Sequence, residues 1–139
     1  MRDEKIKDIY DCDYIKGNGE LYPLQKWYNQ LIDKNVSEIS VADVLRMIRQ
    51  NEFVELAISK AILFLNNNPF VGETYEGELL EKLSNIEVYQ MRNYLDDLHD
   101  ILVKAEQENE NYEWLIEKER IEFQELIKKL FEMIDNYHS

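Results

Sequence analysis

Residues 52–66 carry apolar side chains around almost the whole circumference of a helix. Before the closing Asn66, four polar residues interrupt the pattern, and they lie on one narrow strip: Glu52, Glu55, Ser59 and Lys60. A helix that is apolar on nearly every side has to be covered by other elements. The segment therefore predicts the central helix of a bundle. Phe53 and Phe64 would be core residues of this helix, and replacing either by alanine would cost about 3–5 kcal/mol.

The rest of the chain predicts further helices. One begins at Pro23, since proline suits the first helical position, and another follows Ser40, which is a good N-cap. Apolar residues at three- and four-residue spacing predict helices over 78–83, 88–105 and 112–136. No alternating strand pattern of useful length is present. We expect an all-α fold, a single compact bundle of five to six helices around residues 52–66.

Residues 1–22 differ from the remainder in being polar. They contain a turn signal at Gly17-Asn18-Gly19 and a weak helical pattern over 3–11. We expect residues 1–22 to form an N-terminal extension, whose polar composition allows flexibility, and residues 23–139 to form one helical domain.

The linker of this domain lies between residues 66 and 77. It contains Phe70 and Tyr75 beside its proline and glycines, which favours a loop packed down on the core. We expect ion pairs to pin it, formed by Arg46 and Arg49 with Glu73, Glu76 and Glu78.

Acidic residues dominate the charge. The 139 residues carry a formal net charge of −13, and residues 66–139 contain 7 basic and 18 acidic side chains. This balance argues against direct binding to nucleic acid or to a membrane surface and favours a basic protein partner. The single cysteine, Cys12, excludes an internal disulfide and suits a reducing, cytoplasmic location. No motif predicts a cofactor or a small-molecule substrate.

Two acidic segments supply the candidates for partner binding. Three aspartates lie off the apolar seam of the 88–105 helix, and the linker contributes a tyrosine flanked by glutamates. A solvated face is the plainer interpretation of such runs, and a docking surface for a basic protein is the functional one. The candidate contact residues are Glu73, Tyr75, Glu76, Asp96, Asp97 and Asp100.

Two acid-x-x-His spacings raise the alternative of a metal-dependent enzyme. They run from Asp96 to His99 and from Asp135 to His138, and on a helix this spacing places both side chains on one face. A bundle site of this kind needs two further inward carboxylates, and the central helix offers only Glu55. No nucleophile or phosphate loop accompanies the pairs. We therefore expect no metal site, no catalytic residue and no enzymatic activity.

Several short pieces of the chain follow one another in a characteristic order and spacing. They are Trp27-Tyr28-Asn29, Val41-Ala42-Asp43-Val44, Arg46-Met47-Ile48-Arg49-Gln50, Ala57-Ile58-Ser59-Lys60-Ala61-Ile62, Asn68-Pro69-Phe70-Val71-Gly72-Glu73 and Tyr75-Glu76-Gly77-Glu78-Leu79-Leu80. In these pieces the chain resembles a family of bacterial immunity proteins from contact-dependent growth inhibition systems. The resemblance covers about residues 24–130, is most specific over 46–83 and leaves out 1–22.

This resemblance implies a cytoplasmic protein without catalysis of its own. Such a protein binds and neutralises the C-terminal toxin domain delivered by a neighbouring cell, in a one-to-one complex. Many of these toxins are nucleases with basic clefts, which implies inhibition by occlusion of the active or substrate-binding site. The alternative is an acidic helical adaptor for a basic protein partner, which shares the helices and the charge but needs no toxin gene beside its own.

Overall fold

The computed structural model describes residues 3–139. Its seven α-helices are α1 (Ile6–Ile9), α2 (Pro23–Ile32), α3 (Val41–Gln50), α4 (Val54–Asn67), α5 (Glu78–Leu83), α6 (Leu95–Asn109) and α7 (Glu117–His138). Two 3₁₀ helices, Val36–Glu38 and Val88–Tyr94, lie between them. Residues 3–139 contain no β-strand beyond an isolated bridge between Lys5 and Asn35, so the predicted all-α fold is confirmed. None of the helices in this range has the length and apolar character needed to cross a membrane.

Local sequence explains where α2 and α3 begin. Pro23 occupies the first position of α2. A backbone N–H at this position has no acceptor within the helix, so proline, which lacks the N–H, loses no hydrogen bond there. The Ser40 hydroxyl accepts a 3.1 Å hydrogen bond from the Asp43 N–H, and the Asp43 carboxylate accepts one of 3.1 Å from the Ser40 N–H. Lys34 Nζ also donates to this carboxylate at 2.6 Å. Burial raises the pKa of Asp43, but the bonds from Lys34 and Ser40 outweigh burial and hold that pKa below its usual value.

Helix α4 is the centre of the bundle, as its apolar pattern predicts. It packs against α3, α5, α6 and the second 3₁₀ helix. Its buried residues are Ala57, Ile58, Ala61, Ile62 and Leu65. One side of α4 is nevertheless open, because Leu63 is 57% exposed. Phe53 and Phe64 are only partly buried, so their replacement should cost less than the sequence pattern suggests.

The helix predicted over 88–105 is divided in two. Val88–Tyr94 is a 3₁₀ helix, and α6 starts at Leu95. The apolar seam is retained, since Met91, Leu95 and the later seam residues along α6 are buried. The three-residue step from Val88 to Met91 fits a 3₁₀ turn as well as an α-helical one. Periodicity alone therefore does not separate the two kinds of helix here.

The N-terminal segment is held to the bundle through α1. Ile6 is fully buried, and its N–H donates to the Lys34 carbonyl at 3.0 Å. The Val36 N–H donates to the Glu4 carbonyl at 2.9 Å. Part of the expected extension therefore contributes to the core. Residues 1 and 2 of that extension lie outside the described residues, and the domain boundary at residue 22 stays a prediction.

Candidate protein-binding surface

The loop over residues 69–77 packs on the core, as predicted, through Phe70. This side chain is 3% exposed. The centroid of its ring lies 3.8 Å from that of Tyr112 and 4.9 Å from that of Phe123, with both pairs stacked. The Trp114 ring meets it edge-on at 5.7 Å. We call these four residues the aromatic cluster. It joins the loop to α7 and to the connection between α6 and α7.

A buried glutamate closes this loop. Glu78 Oε1 accepts hydrogen bonds from the N–H groups of Glu73 at 2.8 Å and Thr74 at 2.9 Å. None of the ion pairs found within residues 3–139 joins Arg46 or Arg49 to Glu78 or to the linker glutamates. The predicted arginine pairing is therefore wrong. Backbone N–H groups satisfy the Glu78 carboxylate instead, because the loop folds back over it.

The connection between α6 and α7 is ordered by hydrogen bonds. The polar sequence predicts a break after residue 105, but α6 continues to Asn109 and α7 starts only at Glu117. Trp114 Nε1 donates to Asn109 Oδ1 at 2.8 Å. The Arg120 guanidinium donates to the carbonyl oxygens of Tyr112, at 2.6 Å, and of Asn109. The connection is therefore pinned to the ends of both helices.

A groove of about 450 Å³ lies beside this connection, between loop 69–77, α5 and the first half of α7. Its lining includes apolar residues, namely Tyr75, Trp114, Phe123 and Leu126. It also includes five glutamates and one lysine, namely Glu76, Glu81, Glu119, Glu122, Glu125 and Lys129. We call it the acidic groove. A larger cavity of about 660 Å³ beside α3 mixes Arg49 and Lys82 with Glu78 and Glu87, so neither sign of charge dominates there.

Carboxylates at the groove interact with two tyrosines. The Tyr75 hydroxyl donates to Glu81 Oε1 at 2.9 Å. Burial, followed by this bond, raises the pKa of Tyr75 to about 12. Burial, followed by the interaction with the Glu76 carboxylate, raises the pKa of Tyr112 to about 12 as well. The Tyr75 hydroxyl therefore holds the Glu81 carboxylate in place.

The structure distributes the six predicted contact residues over three places. Tyr75 and Glu76 line the acidic groove. Glu73 lines a neighbouring cavity of about 380 Å³. The three aspartates are exposed on the first turns of α6: Asp96, Asp97 and Asp100. They lie about 14–20 Å along that helix from its Asn109 end, which meets the connection beside the groove. The six residues therefore do not form one patch.

Sequence reasoning missed the glutamates of α7. Glu119, Glu122 and Glu125 recur every three residues, and this spacing places them along one side of a helix. That signal was present in the sequence. Glu81 carries no such signal, because its place in the groove depends on its contact with Tyr75.

The two histidines lie at the surface. The His99 ring meets the Phe131 ring edge-on at 5.3 Å, and His138 ends α7. In the described part of the chain, no group of three or more His, Cys, Asp or Glu residues is arranged to hold a metal ion.

The fold and this surface define an all-α protein that presents an acidic, aromatic-lined groove next to an ordered helix connection. The chain belongs to the family of CDI immunity proteins, whose model matches residues 8–101. The matched range ends within α6, before the α6–α7 connection. No curated protein matches the chain. Family membership implies a protein that binds and neutralises a toxin of a contact-dependent growth inhibition system. Immunity proteins of this kind are generally not enzymes.

Proposed function

We propose that this immunity protein neutralises a nuclease toxin by covering its basic substrate-binding cleft. The complex would form one-to-one with the C-terminal toxin domain in the cytoplasm. The observation that carries the proposal is the acidic groove, which concentrates five glutamates beside aromatic side chains. A nuclease cleft is basic because it binds phosphates. An acidic surface that competes with nucleic acid for this cleft inhibits without chemistry of its own.

The groove supplies anchors as well as charge. Tyrosine and tryptophan often contribute most of the binding energy at protein interfaces, and Tyr75 and Trp114 both line the groove. Each is already oriented by a hydrogen bond, Tyr75 to Glu81 and Trp114 to Asn109. Side chains that are ordered beforehand lose less entropy on binding. Glu76 and the α7 glutamates would then face lysines and arginines of the toxin.

The three aspartates of α6 act at longer range in this proposal. Asp96, Asp97 and Asp100 lie about 14–20 Å along the helix from its groove-side end, too far to contact a cleft seated on the groove but within the Debye length of about 30 Å at low salt. They would therefore steer the toxin as it approaches rather than contact its cleft. Glu73 would extend the contact at the edge of the groove.

A co-expression experiment tests the proposal. The toxin domain encoded immediately upstream is expressed alone and together with this protein, and growth and complex formation are scored. Rescue of growth with a stable complex supports the proposed function. Toxicity without rescue, or the lack of a toxin gene upstream, would contradict it and favour the acidic adaptor.

Charge reversal tests the steering role. The triple variant D96K/D97K/D100K should associate with the toxin domain about 10-fold more slowly at low salt, with a weaker dependence on salt. Stopped-flow association rates measure this. The matched control changes three exposed acids of the N-terminal segment, giving the same change in net charge: D8K/D13K/E20K. Equal slowing in both variants would show that only net charge matters, and unchanged rates would remove the aspartates from the pathway.

A further inference from the structure

The start of α7 presents three large apolar side chains to solvent. Leu115 is 96% exposed, Ile116 57% and Ile121 54%. Ile121 follows Ile116 by five residues, so it lies about 7.5 Å further along the helix axis and about 140° around it, on another side of the helix. We call the adjacent Leu115 and Ile116 the apolar tip. Single exposed apolar residues are common, but a leucine that is 96% exposed beside a second exposed apolar side chain favours an interaction surface.

The backbone that carries the apolar tip is well anchored. Trp114, directly before Leu115, is held by its indole bond to the buried Asn109 and by the aromatic cluster. The Ile116 N–H donates to Glu119 Oε1 at 3.2 Å, which caps α7. Leu115 therefore projects from an ordered connection, while the side chain of Trp114 before it packs inward. An apolar group held outward in this way is preorganised for a partner.

The apolar tip lies within an acidic stretch of the chain. Between residues 110 and 122 the chain carries five glutamates, one lysine and one arginine. Lys118 Nζ lies 3.8 Å from Glu122 and Arg120 Nε lies 3.1 Å from Glu117, so these pairs offset two of the glutamates and the segment keeps a net charge of −3. The surface that matches this arrangement is an apolar socket rimmed by lysines and arginines. A second copy of the chain does not match it, because two acidic rims would repel each other.

We infer that the apolar tip is the anchor of the immunity complex, inserted into an apolar socket at the edge of the toxin's basic cleft. The inference rests on the proposed function. The tip and the acidic groove share the α6–α7 connection, because Trp114 lines the groove and Leu115 follows it in the sequence. The tip also lies beyond residue 101, where the family match ends. Its apolar residues are therefore outside the matched pattern and are suited to recognising one particular toxin.

The double variant L115S/I116S tests the inference, with a catalytically inactive form of the upstream-encoded toxin domain as the probe. The matched control is L63S/V103S, which alters two exposed apolar residues away from the tip. Loss of a buried leucine contact should raise the dissociation constant of L115S/I116S by about 10- to 100-fold, mainly through faster dissociation. The control should bind like the wild type. Both variants should unfold within a few degrees of the wild type, because each of the four side chains is at least 38% exposed.

Three other results would overturn the inference. Wild-type affinity in L115S/I116S would place the anchor elsewhere and leave the proposed function intact. A wild-type protein that does not bind the toxin domain would remove the proposed function and this inference with it. A wild-type dimer in sedimentation that dissociates in L115S/I116S would assign the apolar tip to a second copy of the chain.

Discussion

Removal of the Phe70 ring tests whether the aromatic cluster holds the two halves of the chain together. Phe70 is the loop's member of that cluster, and it contacts the rings of Tyr112, Trp114 and Phe123. Phe70→Ala would leave a cavity that the neighbouring rings, fixed by the backbone of α7 and of the connection, can fill only in part. The variant should therefore lose both the burial of the ring and its stacking contacts.

The expected loss is large for a single side chain. Replacing a buried phenylalanine by alanine costs about 3–5 kcal/mol, and stacked ring pairs, which contribute about 0.5–1.5 kcal/mol each, place Phe70 in the upper part of that range. We therefore expect Phe70→Ala to lower the free energy of unfolding by about 4–5 kcal/mol. At about 3 °C for each kcal/mol in a chain of this size, Tm should fall by roughly 12–15 °C.

Urea unfolding followed by tryptophan fluorescence measures the loss, and Trp114 reports directly on the cluster. Phe64→Ala is the matched comparison, because Phe64 is only partly buried on α4. It should lose about 1–3 kcal/mol. A loss below about 1 kcal/mol for Phe70→Ala, or a larger loss for Phe64→Ala, would refute the reasoning. The cluster would then be a surface feature and not part of the core.

Two further predictions concern the loop and a helix cap. A Cβ at Gly72 would lie 2.0 Å from the Tyr75 carbonyl oxygen, so Gly72→Ala should cost about 1–3 kcal/mol in urea unfolding, whereas Gly19→Ala, with nothing within 4 Å, should cost nothing measurable. The lowered pKa of Asp43 means that its bonds stabilise the fold above the unfolded-state pKa of about 3.9 and that this contribution is lost as pH falls through the folded-state pKa. Asp43→Asn should therefore show a shallower loss of stability between pH 5 and pH 2 than the wild type, and parallel curves would contradict the assignment.

Predictions from the sequence succeeded where one local pattern decides the outcome. The start of α3 is an example, because Ser40 and Asp43 form their cap within four residues. The central place of α4 is another, since an apolar circumference has to be covered whichever elements cover it. The predictions failed where the outcome depended on distant parts of the chain. Opposite charges predict ion pairs of Arg46 and Arg49 with the glutamates of the linker. The Glu78 carboxylate instead accepts hydrogen bonds from backbone N–H groups of its own loop.

The candidate site shows the same division. The acidity of the C-terminal half is legible in the sequence, and so is the three-residue spacing of the α7 glutamates. The sequence does not show that these glutamates lie beside Tyr75, because that grouping depends on how the loop packs against α7. The six predicted contact residues share charge or aromatic character, but this shared character does not indicate how far apart they lie in the folded chain. They therefore fall in three separate places.

The sequence by itself determined the all-α class, the starts of α2 and α3, the central helix and the acidic character of the second half, and it carried the family resemblance. Only the tertiary structure decided that Phe70 meets Tyr112, Trp114 and Phe123, and that Leu115 is left in solvent. Periodicity reports which residues share a face of one helix, because it follows from local backbone geometry. Which faces then meet depends on loop closure and packing between segments far apart in the chain, and no local pattern encodes that choice.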